Sequence, residues 1–106
     1  MKESNITPLE VTENKVLIEF AKLMGVTPTQ IKARNKIRQM SDMRHLYCKL
    51  RYEMHSVTYS AIGKEIDRHA ATVRYGVVRI NNMLLLNDRK IVAMWNRIKD
   101  IPGFYL

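Results

Sequence analysis

The chain has few of the residues that build disulfides or multi-cysteine metal sites: among its 106 residues, Cys48 is the single cysteine. An intrachain disulfide is therefore excluded, and so is a metal site made of several cysteines. Because Cys48 lies within a run of apolar residues at helical spacing, we expect a buried, unreactive thiol. A chain that relies on no disulfide is typical of the reducing cytoplasm.

Long apolar runs are also absent. No stretch approaches the roughly 20 apolar residues of a membrane-spanning helix, and residues 1–5 lead into no hydrophobic signal-peptide core. Internal repeats and low-complexity tracts are lacking as well. The length indicates one domain, and we expect it to be cytoplasmic.

Acidic residues are few relative to basic ones. The chain has 18 Lys and Arg against 10 Asp and Glu, for a formal net charge of +8. Residues 31–80 alone carry eleven cations and four carboxylates, a balance of +7. A solvated basic surface would give the same total, but arginine supplies nine of the eighteen cations. Their clustering in one segment favours a polyanionic partner.

Apolar residues recur at helical spacing along most of the chain, and no segment alternates as a strand does. The sequence therefore predicts an all-α domain of about six helices over residues 12–106, after a flexible N-terminal arm at 1–11. The predicted helices cover about 12–24, 27–33, 41–54, 58–66 and 69–84, with a last helix that begins at Asn87 or Asp88 and ends before Pro102. Residues 34–40 are predicted to be a basic connection.

Local signals mark several of these boundaries. Gly25 is a helix stop, and Thr27 with Gln30 forms a capping box. Ser41 is the expected cap of the third helix, and Thr58 that of the fourth. The third helix is expected to bury Met43, Leu46, Tyr47, Leu50 and Met54, and most methionines are interpreted as core residues.

Residues 58–80 carry the pattern that is most informative about function. They predict a short helix, a tight turn and a longer helix, as in a helix-turn-helix. Such a motif places its second helix in the DNA major groove, with the N-terminal residues of that helix at the base edges. The predicted turn at 66–69 lacks the glycine that many such motifs have, since Gly63 lies earlier, within the first helix of the pair. The pattern with its charge favours double-stranded DNA as the partner.

The segments 44–63 and 67–80 resemble the C-terminal DNA-binding domain of the bacterial chromosomal replication initiator DnaA, a Trp repressor-like helical domain. The resemblance covers nearly the whole chain at low identity. It implies an all-α helix-turn-helix fold and sequence-specific DNA binding, with a role in replication control or transcription regulation. The positions that carry it are Arg44, Ile62, Gly63, Arg68, Thr72, Val73 and Ile80.

The resemblance also implies roles for individual residues. Thr72 matches the second threonine of the family's Gly-Arg-Asp-His-Thr-Thr-Val motif, and it would contact a phosphate or the groove. Arg68 matches the arginine of that motif, and Arg44 matches a phosphate-binding arginine at the start of the long helix. Lys36 falls where the family inserts an arginine into the minor groove, although a small shift of alignment would give that role to Arg34 or Arg38.

Three positions depart from the family pattern. His69 stands in place of aspartate, Ala70 in place of histidine, and Ala71 in place of the first threonine. Alanine offers only apolar contact, as with a thymine methyl group, so the chain is not expected to recognise the initiator's usual site. His69 could accept or donate a hydrogen bond in the groove, cap the long helix or lie in solvent, while His45 and His55 are interpreted as surface or packing residues.

Catalytic and cofactor signals are lacking. The family's ATPase module is missing, because Gly63-Lys64 is followed by Glu65 and no phosphate-cradling loop precedes it. No metal-ligand spacing occurs, and no nucleophile, base and orienting group stand at a recognisable spacing. We therefore expect a non-enzymatic protein without a cofactor.

Two functions remain open from the sequence. The first is a stand-alone binder of double-stranded DNA. Its expected contact residues are Arg34, Lys36, Arg38, Arg44, Lys49, Arg68, His69, Ala70, Ala71, Thr72 and Arg74. The alternative is a protein-interaction module whose basic face docks an acidic partner. Its anchors would be Tyr47, Tyr52, Tyr59 and Tyr75.

Overall fold

The computed structural model describes residues 14–103, which form six α-helices and no strand. The predicted all-α architecture is confirmed for these residues, while the predicted arm at 1–11 lies outside them. The helices are α1 (Lys15–Met24), α2 (Pro28–Lys32), α3 (Arg38–Lys49), α4 (Tyr59–Ile66), α5 (Ala70–Leu85) and α6 (Arg89–Ile98). A π-helical turn, Leu50–Met54, continues α3.

Most helix starts follow the side-chain signals in the sequence. Thr27 and Gln30 form both hydrogen bonds of a capping box, which orders the short α2. The hydroxyl of Thr58 accepts from the amide of Ala61, and Asp88 accepts from the amide of Ile91. Gly25, at φ 77°, ends α1 in the left-handed conformation expected of a C-terminal glycine.

The predicted start of the third helix is wrong. This helix begins at Arg38, so residues 38–40 belong to α3 and not to the basic connection. Ile37 precedes it without a side-chain cap, and the predicted cap Ser41 lies inside the helix, where its Oγ accepts from Arg44. Because the first two residues of α3 are exposed, no apolar pattern marks its first turn.

α3 occupies the centre of the fold, and its most extensive contact is with α5. Gly76 of α5 makes that contact possible, because a Cβ atom there would lie 2.6 Å from the ring of His45. On another face of α3, the Tyr47 ring packs edge-to-face on Phe20 of α1 at 5.3 Å. Met54, predicted to be buried, is 52% exposed, because the π-helical turn changes the direction of the side chains that follow Leu50.

A buried polar network joins α3 to α4. Arg51 donates to both carboxylate oxygens of Glu65, through Nε at 3.0 Å and Nη2 at 2.8 Å. The hydroxyl of Tyr47 donates to the same carboxylate and accepts from Asn14. Burial and the neighbouring Glu65 carboxylate raise the pKa of Tyr47, which therefore stays protonated. The network orients α4, because two-point binding of a carboxylate by arginine is directional.

Many helix-turn-helix motifs have a glycine in the turn, but the turn between α4 and α5 has none. Asp67 adopts the left-handed conformation, at φ 61°. Gly63, inside α4, lets the backbone of Arg68 approach closely, since a Cβ atom at Gly63 would overlap the Arg68 carbonyl oxygen. The amide of Arg68 donates to the Gly63 carbonyl at 2.8 Å. The glycine of this corner is therefore needed for close approach and not for backbone conformation.

We predict that Gly63→Ala destabilises the protein by about 1–3 kcal/mol, because the added methyl group meets backbone that cannot move without displacing α5. The higher helix propensity of alanine offsets about 1 kcal/mol at most. Urea unfolding followed by circular dichroism measures the difference. Ser60→Ala, on the exposed side of α4, is the matched control and should change the free energy of unfolding by less than about 0.5 kcal/mol. Equal stability of the two variants would contradict the close approach at Gly63.

Candidate functional site

The first turns of α5 present small and polar side chains to solvent. Ala70, Ala71, Thr72 and Arg74 are exposed, while Val73 is buried against the core. His69 precedes the helix in an extended conformation, and its side chain is exposed and makes no capping hydrogen bond. Of the three possibilities for His69, a side-chain cap on the helix is therefore wrong, and the side chain lies exposed at the surface of the described residues.

Arg68 turns inward from this corner and binds backbone. Its Nη1 donates to the carbonyls of Lys32 at 3.0 Å and of Ile66 and Asp67 at 3.1 Å. Its Nη2 donates to the carbonyl of Ala33 at 2.8 Å. The guanidinium therefore fastens the loop after α2 to the turn before α5, and most of its donors are already used.

Arg44 approaches the same loop from α3. It donates to the carbonyls of Ile31, Ala33 and Asn35 at 3.1, 3.3 and 3.0 Å, and it is 5% exposed. Burial and the nearby Arg68 lower its pKa. The predicted contact of Arg44 with DNA phosphate is wrong for this structure, because its guanidinium is enclosed and its donors satisfy backbone carbonyls.

Lys49 is also misassigned. Its ammonium group binds Glu53 and, at 2.6 Å, the side-chain oxygen of Asn81, and it lies 4.7 Å from the centre of the Trp95 ring. With 7% of its surface exposed, its ammonium group is enclosed by these partners, and the predicted contact with DNA is not supported. This lysine joins α3 to α5 by the hydrogen bond to Asn81 and to α6 by the cation–π contact with Trp95.

Three neighbouring cations are exposed: Arg34 and Lys36 in the loop after α2, and Arg38 at the start of α3. Arg34 reaches the turn before α5, where its Nη2 lies 3.2 Å from Oδ2 of Asp67. Both side chains of this pair are 69% exposed, so the pair stabilises the fold little. It does show that the loop and the turn lie side by side on one surface.

A shallow pocket of about 270 Å³ opens where the loop, α4 and α5 meet. Three of its residues, Gly63, Lys64 and Asp67, were not among the predicted contacts. The position of Lys64, directly after the buried Gly63, could have indicated an outward side chain. The pocket is lined by Arg34, Gly63, Lys64, Asp67, Arg68, His69 and Thr72.

Charges in residues 31–80 divide into two groups. All four carboxylates of this segment are paired with a cation: Asp42 with Arg79, Glu53 with Lys49, Glu65 with Arg51, and Asp67 with Arg34. The other seven of the eleven cations have no carboxylate within 4.0 Å among residues 14–103. Arg44 and Arg68 bind carbonyls. The remaining five are exposed: Lys32, Lys36, Arg38, Lys64 and Arg74.

His45 of α3 packs against α5. Its Nδ1 accepts from Arg79 at 3.0 Å, so the ring is neutral and carries its proton on Nε2. Burial, followed by the charges of Arg79 and Arg44, lowers the pKa of His45 to about 4. Oδ1 of Asp42 lies 2.8 Å from Arg79 as an ion pair, without the alignment of a hydrogen bond. As expected, His45 is a packing residue.

Several tyrosines and leucines contribute to the apolar part of the described surface. Tyr47 is fully buried, so its predicted role as a surface anchor is wrong. Tyr52 stacks on Tyr59 with ring centroids 4.1 Å apart. Tyr75, next to Arg74, is 62% exposed, and Leu85 and Leu86 at the other end of α5 are more than 80% exposed.

Other chemistry finds little support in the described part of the chain. No group of three or more His, Cys, Asp or Glu between residues 14 and 103 could hold a metal ion. Cys48 is buried as expected, and burial raises its pKa to about 12, which keeps it a thiol. None of the described helices is long and apolar enough to cross a membrane.

Comparison of the chain with protein-family models, with curated proteins and with solved structures finds no match. The resemblance to the DNA-binding domain of the replication initiator therefore stays a prediction, which rests on the residues that carry it. The support for a function therefore comes from the geometry of the surface around α5.

We predict that the protein loses stability as the pH falls from about 6.5 toward 4. The pKa of His45 is lower in the folded state than the ordinary 6.5, so protons bind the unfolded chain more tightly in this range. The contribution of neutral His45 is complete above pH 6.5 and is lost on acidification. Urea unfolding at several pH values measures the decline.

His45→Gln should make this decline shallower, and His55, whose pKa burial also lowers, accounts for part of what remains. The control is His69→Gln, because His69 is exposed and bound to nothing described. An equally steep decline in His45→Gln and His69→Gln would contradict the assignment to His45.

Proposed function

We propose that the chain is a non-enzymatic, sequence-specific binder of double-stranded DNA in which α4 and α5 act as a helix-turn-helix. The observation that carries the proposal is the division of charge in residues 31–80. Every carboxylate there is neutralised by a cation, while five exposed cations have no carboxylate partner among residues 14–103 and lie on α2, the loop after it, the start of α3, α4 and α5. A polyanion binds such a surface favourably because binding releases the counterions condensed on the polyanion.

The form of the surface favours a duplex. The first two turns of α5 have exposed small residues, Ala70 and Ala71, and so the helix backbone can approach the floor of a major groove closely. Thr72 and Arg74 supply hydrogen-bond donors beside them, and His69 precedes them. In a helix-turn-helix this part of the second helix meets the base edges.

The loop after α2 would hold the neighbouring backbone or minor groove. Arg34, Lys36 and Arg38 are exposed, and the clamp formed by Arg44 and Arg68 keeps the loop beside α5. Phosphate contacts from the loop would set the register, and α5 would supply the sequence preference. Arg44, Arg68 and Lys49 have internal roles in this proposal and support the surface from within.

The resemblance to the initiator domain adds a biological context to the proposal: control of replication initiation, or regulation of transcription. A cytoplasmic location fits both processes. His69, Ala70 and Ala71 differ from the residues with which that family recognises bases. The preferred sequence is therefore proposed to differ from the initiator's site.

A second candidate function is a protein-interaction module. Its support is the exposed apolar surface of α5, which runs from Tyr75 through Val78 to Leu85 and Leu86. An acidic protein could combine contact with these side chains and with the exposed cations. Binding of a poly-glutamate peptide that exceeds binding of a duplex at equal charge would favour this candidate over DNA.

We predict salt-dependent binding to duplex DNA, and weaker binding when Arg34, Lys36 and Arg38 are all replaced by Ala. Each neutralised phosphate contributes about 0.9 to the slope of log affinity against log salt concentration. The triple variant should bind every duplex more weakly, and its slope should be flatter by about 1 for each phosphate that it no longer neutralises. Fluorescence anisotropy of a labelled duplex at several salt concentrations measures both quantities.

The matched control for this experiment replaces Lys22, Lys90 and Arg97 by Ala. These three cations are exposed on α1 and α6. Replacing them changes the net charge by the same amount as replacing Arg34, Lys36 and Arg38. A control that weakens binding as much as the loop variant would mean that only total charge matters. Absence of duplex binding by the unmodified protein at low salt would reject the proposed function.

We further predict that His69→Ala relaxes the preference at one base pair and leaves binding to random duplexes nearly unchanged. The side chain is exposed and caps nothing, so its loss should cost little stability. Since a good base contact discriminates by about 1–3 kcal/mol, the change is visible in the oligonucleotides selected from a random duplex pool. An unchanged preference would exclude His69 from the groove.

A further inference from the structure

The pocket between the loop, α4 and α5 combines basic side chains from separate parts of the chain. Arg34 comes from the loop, Lys64 from α4, and Arg68 from the turn. Thr72 adds a hydroxyl group from α5. With about 30 Å³ of liquid volume for each water molecule, a pocket of about 270 Å³ can take a phosphate group together with some water.

The cations around this pocket differ in what they can offer a ligand. Arg68 uses its terminal nitrogens on carbonyl groups, so it contributes positive charge and few free donors. Lys64 is exposed and has no carboxylate within 4.0 Å among residues 14–103. Arg34 contacts one group only in this part of the chain, the carboxylate of Asp67. Lys64 is therefore available to bind an anion, and Arg34 becomes available when it leaves the carboxylate of Asp67.

Asp67 is the one acidic side chain among the residues that line the pocket. Its carboxylate contacts Arg34 at 3.2 Å and makes no other described hydrogen bond. The carboxylate contributes nothing to the left-handed backbone at this position, which asparagine adopts as readily. The acidic group thus has no structural task that would explain a negative charge in a basic pocket.

We propose that this pocket holds one backbone phosphate of the bound duplex, and that the carboxylate of Asp67 competes with this phosphate for Arg34. The inference rests on the proposed function and assigns a ligand to one part of its surface. Arg34 then binds phosphate beside the turn, and the minor-groove position falls to Lys36 or Arg38. The negative charge of Asp67 therefore weakens binding to every DNA sequence by a similar amount.

The direct test is Asp67→Asn, which keeps the left-handed turn and removes the competing charge. Because exposed ion pairs are worth about 0.2–1 kcal/mol, the variant should bind duplex DNA up to about fivefold more tightly at low salt. The control Asp100→Asn makes the same change of charge at an exposed residue that does not line the pocket, and it should give a smaller gain. A gain no larger than that of the control would overturn the inference.

A second background separates competition for Arg34 from a general effect of charge. In Arg34→Gln the carboxylate has no arginine to occupy, so Asp67→Asn should lose most of its gain there. An undiminished gain in that background would overturn the competition between carboxylate and phosphate.

Titration with inorganic phosphate tests the pocket without DNA. Amide NMR signals of Lys64 and Thr72 should shift at lower phosphate concentration in Asp67→Asn than in the unmodified protein. Duplex binding without these effects would overturn the pocket and leave the proposed function standing. Phosphate binding at these residues without any duplex binding would reject the DNA function and retain the pocket as an anion site.

Discussion

The candidate surface depends on two arginines that bind the same stretch of backbone. Arg44 and Arg68 come from α3 and from the turn before α5, and both donate to the carbonyl of Ala33. Together they satisfy the carbonyls of residues 31–33 and 35, which follow a helix too short to order the loop by itself. An arginine suits this task because its planar group of five donors can serve several acceptors at once. Without the clamp nothing described would hold Arg34 beside α5 except an exposed ion pair.

The same use of cations as internal links extends through the fold. Arg51 and Arg79 join helices through carboxylates, and Lys49 joins α3 to α5 and α6. The basic excess of the segment is therefore not a uniform coating, since part of it is used in packing. What stays exposed is a smaller set of cations, which lie on α2, the loop after it, the start of α3, α4 and the start of α5. The contacts of each cation in the fold, and not the total charge of the segment, therefore decide which cations stay exposed.

Much of the fold was predictable from local patterns. Helical spacing and the caps at Thr27 and Thr58 identified helices that the structure confirms. Several of the wrong predictions concern residues whose environment is set by distant contacts. The resemblance assigned Arg44 to a DNA phosphate, and Lys49 was also expected to contact DNA, yet Arg44 binds backbone 13 positions away and Lys49 a side chain 32 positions away. The early start of α3 was missed because its exposed first turn carries no apolar period.

The sequence by itself determined the class of fold, the basic segment and the residues at the start of α5, because these follow from periodicity, composition and order along the chain. Only the tertiary structure decided which cations remain available, that Lys64 and Asp67 share a pocket with Arg34, and that Gly63 serves a close backbone approach. The physical reason is that a charged side chain is stable in two kinds of environment. It can stay hydrated, or it can be buried where partners satisfy its donors, and those partners come from elements that the linear sequence does not place side by side.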